Sequence, residues 1–107
     1  MVESVQQLDL LFAALADATR RDILARVAEA GLSIGRLAER YRMSLAAVSK
    51  HVGVLEKAGL VSKNRRGRET VVTLVPDALG VAREHIDRYA RMWHERFDKL
   101  DAILKED

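Results

Sequence analysis

Apolar residues recur along this chain with two different periods, and the change of period divides it. Val5, Leu8, Phe12 and Leu15, with Leu11 beside them, form a stripe at three- and four-residue spacing that predicts a first helix over about 4–15. Asp17 opens a second helix, in which Ile23, Leu24 and Val27 supply core positions and Gly31 a stop. Ser33 is placed to cap a short third helix carrying Ile34, Leu37 and Ala38, which breaks in the polar turn Arg40–Met43. Ser44 is placed to cap a fourth helix, with Val48, Val52 and Leu55 on its apolar side and Gly59 just past its end. Beyond Gly59 the period falls to two. Residues 60–75 read as two strands around Gly67, and Pro76 ends them. Asp77 is then positioned to cap a last helix running to about residue 104–105.

That last helix carries Leu79, Ile86, Trp93 and Leu100 seven apart, with Ala82, Tyr89 and Ile103 at a second heptad position that Arg96 interrupts. Ala90, Phe97 and Leu104 broaden the stripe. Over roughly 40 Å at 1.5 Å per residue, this apolar face exceeds what so small a chain can cover alone. With the first helix it suits a two-fold dimer interface formed by Leu8, Phe12, Leu79, Ile86, Tyr89, Trp93, Phe97 and Leu100. Packing within one chain is the alternative.

The fourth helix has a second face that changes the picture. Opposite its apolar side stand Ala46, Ala47, Ser49 and Lys50, small, polar or basic groups of the kind that fit a DNA major groove. Alone, such a pattern equally describes an amphipathic surface helix. Its context favours DNA, because two helices joined by about four residues make helix-turn-helix geometry. Charge agrees. Residues 33–68 hold nine Lys/Arg against two Glu, a net of +7, whereas residues 77–107 carry a net of −2. Four of the six residues from Lys63 to Arg68 are cationic, namely Lys63, Arg65, Arg66 and Arg68, as expected of a wing gripping phosphate or the minor groove. Keeping an exposed hairpin edge soluble is the plainer role.

The 107 residues fit one domain: helices over 4–31, a helix-turn-helix over 33–59, a wing over 60–75 and a last helix over 77–105. The expected class is mainly α (α+β), a winged helix-turn-helix with terminal dimerisation helices and a two-stranded β-wing. There is no cysteine, so thiol redox chemistry and thiolate metal ligands are excluded. No apolar run is long enough for a membrane span, and the acidic-polar start lacks the order of a signal peptide, so a cytoplasmic location is expected. No nucleophile–base pair, glycine-rich phosphate loop or carboxylate cluster on an apolar background suggests an enzyme.

Two segments carry a family resemblance. ALADATRRDIL, from Ala14 to Leu24, resembles the ALADPTRR-I-L signature of the ArsR/SmtB bacterial repressors, with Ala18 in place of the usual Pro. SLAAVSKHVGVLEKAGLV, from Ser44 to Val61, resembles the recognition helix of that family together with its V-L-x-x-A-G-L-V continuation. The likeness spans about residues 8–75 strongly and the last helix more loosely. It implies a homodimer joined by the first and last helices and bound to double-stranded DNA. It also implies DNA contact by Ser44, Leu45, Ala46, Ser49, Lys50 and His51, with Ala46 or Ala47 against a thymine methyl. His51 has two readings, a phosphate contact or a residue bordering the core. Arg20 and Arg21 likewise reach either phosphate or Asp17 and Asp22.

Many relatives sense metals, and here this chain departs from the pattern. The family's C-x-C positions fall on Ser33 and Gly35. Its D-x-H site on the last helix would need an acid where Arg83 stands before His85, and a ligand where Arg96 stands beyond it. His94 with Asp98, or His85 with Tyr89, are one turn apart but form only two-residue coincidences. A metal-independent repressor without a cofactor is therefore expected, and no residue pattern designates an effector. The alternatives are a winged-helix protein-interaction module and a repressor with a non-standard zinc site on the last helix.

Overall fold

The computed structural model describes residues 2–105, with side chains from Val5 onward. Its elements are α1 (Val2–Leu15), α2 (Ala18–Glu29), β1 (Leu32–Ser33), α3 (Ile34–Tyr41), α4 (Leu45–Lys57), β2 (Val61–Arg66), β3 (Glu69–Leu74) and α5 (Pro76–Lys105). Three helix starts follow from side-chain caps. Asp17 accepts from the Arg20 N–H at 3.0 Å, Ser33 from the Arg36 N–H at 3.2 Å and Ser44 from the Ala47 N–H at 3.1 Å. Each satisfies one of the donors that a helix N-terminus leaves open.

The α3–α4 turn is closed by Arg42 in the left-handed region, φ 53°, with the Met43 N–H donating to the Ala38 carbonyl at 3.1 Å. At the far end of α4, Gly59 takes φ +78°. Its N–H reaches the Glu56 carbonyl at 2.9 Å, while the Leu60 N–H reaches the Leu55 carbonyl at 3.0 Å. These paired bonds form a Schellman cap, which needs a left-handed residue where glycine costs least.

The sheet differs from expectation. It has three antiparallel strands in the order β1-β3-β2, because Leu32 and Ser33 pair with Val72 and Val71. The β2–β3 hairpin still forms the wing, with Arg66 opposite Glu69 and a two-residue turn at Gly67–Arg68. Only Gly67 there has positive φ, 63°, the pattern of a type II′ turn that matches strand twist. Strand β1 is invisible to periodicity because two residues carry no period.

Ile23, Leu37, Val48, Val52, Leu55, Leu60 and Val72 are fully buried, so the core joins α2, α3, α4 and the sheet. Leu11 and Ala14 bring α1 onto it. Helix α5 differs from its expected start: Pro76 occupies the first helical position, where its missing N–H and fixed φ are harmless, and Asp77 sits in the first turn rather than at the cap. Of α5 only Ala82 is buried. The molecule measures 70 × 31 × 21 Å with a radius of gyration of 18.7 Å, against about 13 Å for a compact domain of this length. The excess is α5, which leaves the body and continues alone.

Candidate nucleic-acid interface

Because successive helical residues turn by about 100°, burying Val48, Val52 and Leu55 dictates the rest of α4. Ala46, Lys50 and Lys57 lie opposite the buried stripe and are exposed. Ala47 is half-buried on one flank. Leu45, in the first turn, is 61% exposed, an apolar side chain left in the open beside Ser44.

The two flanks of α4 differ. Ser49 borders a groove of 320 Å³ between the start of α3, α4 and the wing, lined also by Ser33, Gly35, Leu45, Arg68 and Thr70. His51 is half-buried on the other flank, its Nδ1 3.4 Å from Arg20 Nη1 and 3.9 Å from Asp17 Oδ2. It therefore borders the core, against α2. Ser49 and Lys50 thus share open surface with Ala46, and His51 does not join them.

On the wing, Lys63 is exposed but has an ion-pair partner that the chain alone does not show. Its register partner is the fully buried Val72, so it lies on the core side of the hairpin, and its Nζ pairs with Glu56 Oε1 of α4 at 3.3 Å. Arg65, Arg66 and Arg68 remain exposed, Arg65 Nε donating to the Gly67 carbonyl at 3.3 Å. Arg36 and Arg40 line a separate 630 Å³ groove with Arg26, Glu29 and Leu32. The basic middle of the chain is therefore divided between two surfaces.

Among the described residues Arg20 and Arg21 form no side-chain ion pair with Asp17 or Asp22; both guanidinium groups turn to the end of α1. Arg20 donates through Nε to the Ala14 carbonyl at 2.8 Å and through Nη2 to the Ala13 carbonyl at 3.1 Å, while Arg21 Nη1 reaches the Leu15 carbonyl at 2.7 Å. They close the C-terminus of α1, whose last carbonyls have no helical donors. The usable sequence signal was two arginines placed just after a helix end.

Asp17 is held below the usual carboxylate range, first by the Arg20 backbone N–H and then by the charge of Arg20. Asp22 is lowered mainly by the Tyr41 hydroxyl, which donates to it, with Arg26 and Arg40 adding charge. Tyr41 in turn is pushed up to about 12, by burial and then by that carboxylate. This bond spans α2 and α3 and so fixes the helix-turn-helix on the body.

All eight side chains expected at a dimer interface lie on α1 and α5. Leu8 is half-buried; Phe12, Leu79, Ile86, Tyr89, Trp93, Phe97 and Leu100 are exposed, Trp93 by 62%. Trp93 and Phe97 stack with ring centroids 5.7 Å apart. Among the described residues no three of His, Asp and Glu converge as metal ligands. His85 Nδ1 donates to the Val81 carbonyl at 3.1 Å, within α5. Among the described residues no helix is long and apolar enough to cross a membrane.

Residues 15–64 match a family model described as a helix-turn-helix domain. The chain is 41% identical over 81 residues to the HTH-type transcriptional regulator Rv2034 of Mycobacterium tuberculosis, covering 76% of each protein. An ArsR-like transcriptional regulator from Rhodococcus sp. RHA1 superposes with a TM-score of 0.85 at 30% identity, over 100% of this chain and 98% of that one. The chain belongs to the ArsR family of helix-turn-helix transcriptional regulators.

The transcriptional repressor SdpR of Bacillus subtilis is a further relative, 33% identical over 58 residues, which are 54% of this chain and 64% of that protein. As an ArsR-family regulator the protein is not an enzyme, and its winged helix-turn-helix is a DNA-binding domain. Within that fold, α3 and α4 form the helix-turn-helix and the β2–β3 hairpin the wing. Sequence reasoning missed three features around them: the clasp by Arg20, the Glu56–Lys63 pair and strand β1.

Proposed function

We propose that this regulator is a homodimeric repressor that binds a two-fold-related operator without a metal cofactor. The observation that carries the reading is a division of surfaces. Small and basic groups of α4 stand open with the wing arginines, while α5 presents aromatic and aliphatic residues to solvent along its length. A run of exposed apolar side chains on that scale marks an interaction face. A second copy satisfies it with the same surface, since two-fold contacts are self-complementary.

In the dimer, Leu8, Phe12 and the α5 residues from Leu79 to Leu100 would be covered, and two α4 helices would enter successive major grooves about one turn apart. Ser49 and Lys50 would donate to base edges or phosphates, and Leu45, Ala46 or Ala47 would meet thymine methyls. Ser44 would hold the helix N-terminus against the backbone. Arg65, Arg66 and Arg68 would grip flanking phosphate or the minor groove, with Lys63 and His51 in supporting places. Repression would follow from occupying a promoter, the role named for the Bacillus relative. Metal independence is supported by Ser33 and Gly35 at the family's thiolate positions and by Arg83 and Arg96 at its last-helix site.

The test is fluorescence anisotropy against DNA from the protein's own promoter with unrelated competitor, at two salt concentrations, with zinc or with a chelator. Selective, salt-dependent binding indifferent to zinc and chelator is expected. Release by zinc would overturn metal independence, and loss of selectivity throughout would overturn the operator reading.

A further inference from the structure

We propose that Arg20 is a positioning residue for DNA recognition: it ties the end of α1 to His51 of α4 and thereby sets how the recognition helix is presented. This rests on the reading that α4 enters the DNA groove. The guanidinium has donors in a rigid planar fork, and here they are divided among three acceptors. Nε and Nη2 take the Ala14 and Ala13 carbonyls at the end of α1, and Nη1 faces His51 Nδ1 at 3.4 Å. The Arg20 backbone N–H is committed as well, to Asp17 Oδ2 at 3.0 Å. Main chain and side chain therefore both fix Arg20, and its guanidinium bridges two helices that are far apart in sequence.

The contact also defines the imidazole. A guanidinium can only donate, so the proposed bridge requires a bare Nδ1 and the His51 N–H on Nε2. Asp17 Oδ2, 3.9 Å from the same Nδ1, is beyond hydrogen-bond reach and does not compete for it. His51 is thus held in one tautomer and one orientation on the flank of α4 beside Val48 and Val52, both fully buried. Helix α1 is the helix expected to lie in the dimer interface, so this bridge joins the dimer to the element that reads DNA. Arg21 makes the comparison clean, because it also caps α1, at Leu15, and among the described residues forms no side-chain hydrogen bond or ion pair with α4.

The experiment compares Arg20→Lys, Arg21→Lys and His51→Ala with wild type. Readouts are the ratio of specific to non-specific DNA affinity, the salt slope and the imidazole nitrogen shifts of His51 in the free protein. Lysine keeps the charge but cannot serve three acceptors in one plane, so a charge-only role predicts no change. Arg20→Lys should lower the specificity ratio by about tenfold with an unaltered salt slope, and should release His51 into mixed tautomers. Arg21→Lys should do neither. His51→Ala removes the bridge while leaving the α1 cap, and in that background Arg20→Lys should cost little more.

Equal losses for Arg20→Lys and Arg21→Lys would overturn the proposal in favour of simple capping, and so would wild-type selectivity in Arg20→Lys. If the wild type itself shows no selective binding, the repressor reading fails. The imidazole spectrum then decides the bridge: a single Nε2–H form in wild type and a mixture in Arg20→Lys supports it, and the same spectrum in both overturns it.

Discussion

Helices α4 and α5 carry the same sequence signal and meet opposite fates. Val48, Val52 and Leu55 recur every three or four residues and are fully buried, whereas the equally periodic stripe from Leu79 to Leu104 is 37–69% exposed at its large residues. Periodicity states which face of a helix seeks cover. It does not state what supplies the cover. For α4 the partners are α2, α3 and the sheet of the same chain; for α5 beyond Ala82 they are absent from the described chain. The difference separates residues that hold the fold from residues left to hold something else, and it can be broken from either side.

Leu55→Ala should have the largest effect, about 2–5 kcal/mol of lost stability by chemical denaturation, because a cavity opens where α4 meets the core. Trp93→Ala should instead spare the unfolding of the body and weaken self-association. As a central aromatic it would cost about 2 kcal/mol or more, close to thirtyfold in the dimer dissociation constant by analytical ultracentrifugation. A lowered midpoint of the body with unchanged association would erase the contrast.

Gly59→Ala comes next. It forces a Cβ into positive φ and within 3.3 Å of Gln7 Nε2, whose bond to the Ala58 carbonyl is 2.9 Å. A loss of about 1 kcal/mol or more is expected, read as a lower thermal midpoint.

Tyr41→Phe should remove about 1 kcal/mol near neutral pH, the usual worth of one hydrogen bond. The pH profile distinguishes its two partners. Asp22 is lowered in the fold, so its contribution is present above the ordinary carboxylate value of 3.8 and fades as pH falls. Tyr41 is raised, so its contribution is present below 10 and is lost as pH rises from there through about 12. Denaturation of the wild type across both ranges should show both losses, and the phenylalanine variant should lack the alkaline one.

The smallest effect separates the wing cations. Arg66→Ala should weaken all DNA binding and reduce the salt slope by about one, whereas Lys63→Ala should change the slope less, because Lys63 is already paired with Glu56. Ser49→Ala should relax sequence choice without altering the slope. Equal slopes for Arg66→Ala and Lys63→Ala would show that the Glu56 pairing does not persist on DNA.

Much of the fold is legible in the chain itself, for physical reasons that differ by element. The caps at Asp17, Ser33 and Ser44 and the turn at Gly59 are local chemistry, and local chemistry is written in neighbouring residues. So is the type II′ turn at Gly67. What escapes a reading of the chain is set by residues distant in sequence. Strand β1 exists because Val71 and Val72 offer an edge to Leu32 and Ser33. Lys63 looks free until Glu56 is placed beside it, and for Arg20 the chain suggests phosphate or an aspartate but not the end of α1 that the fold brings within its reach. The start of α5 differs by one residue because Pro76 reads both as a strand stop and as a first helical residue.

A single residue, Val75, separates the last strand from the long helix, and its N–H is held by the Leu60 carbonyl at 2.9 Å. There is no slack at this joint. A dimer built on α5 would behave as a fixed calliper, its two reading heads set in both separation and rotational phase, so that the spacing of operator half-sites becomes a dimension of the protein. Inserting one residue after Val75 would turn the apolar stripe by about 100° against the body and spoil the match, with every DNA-facing side chain still in place.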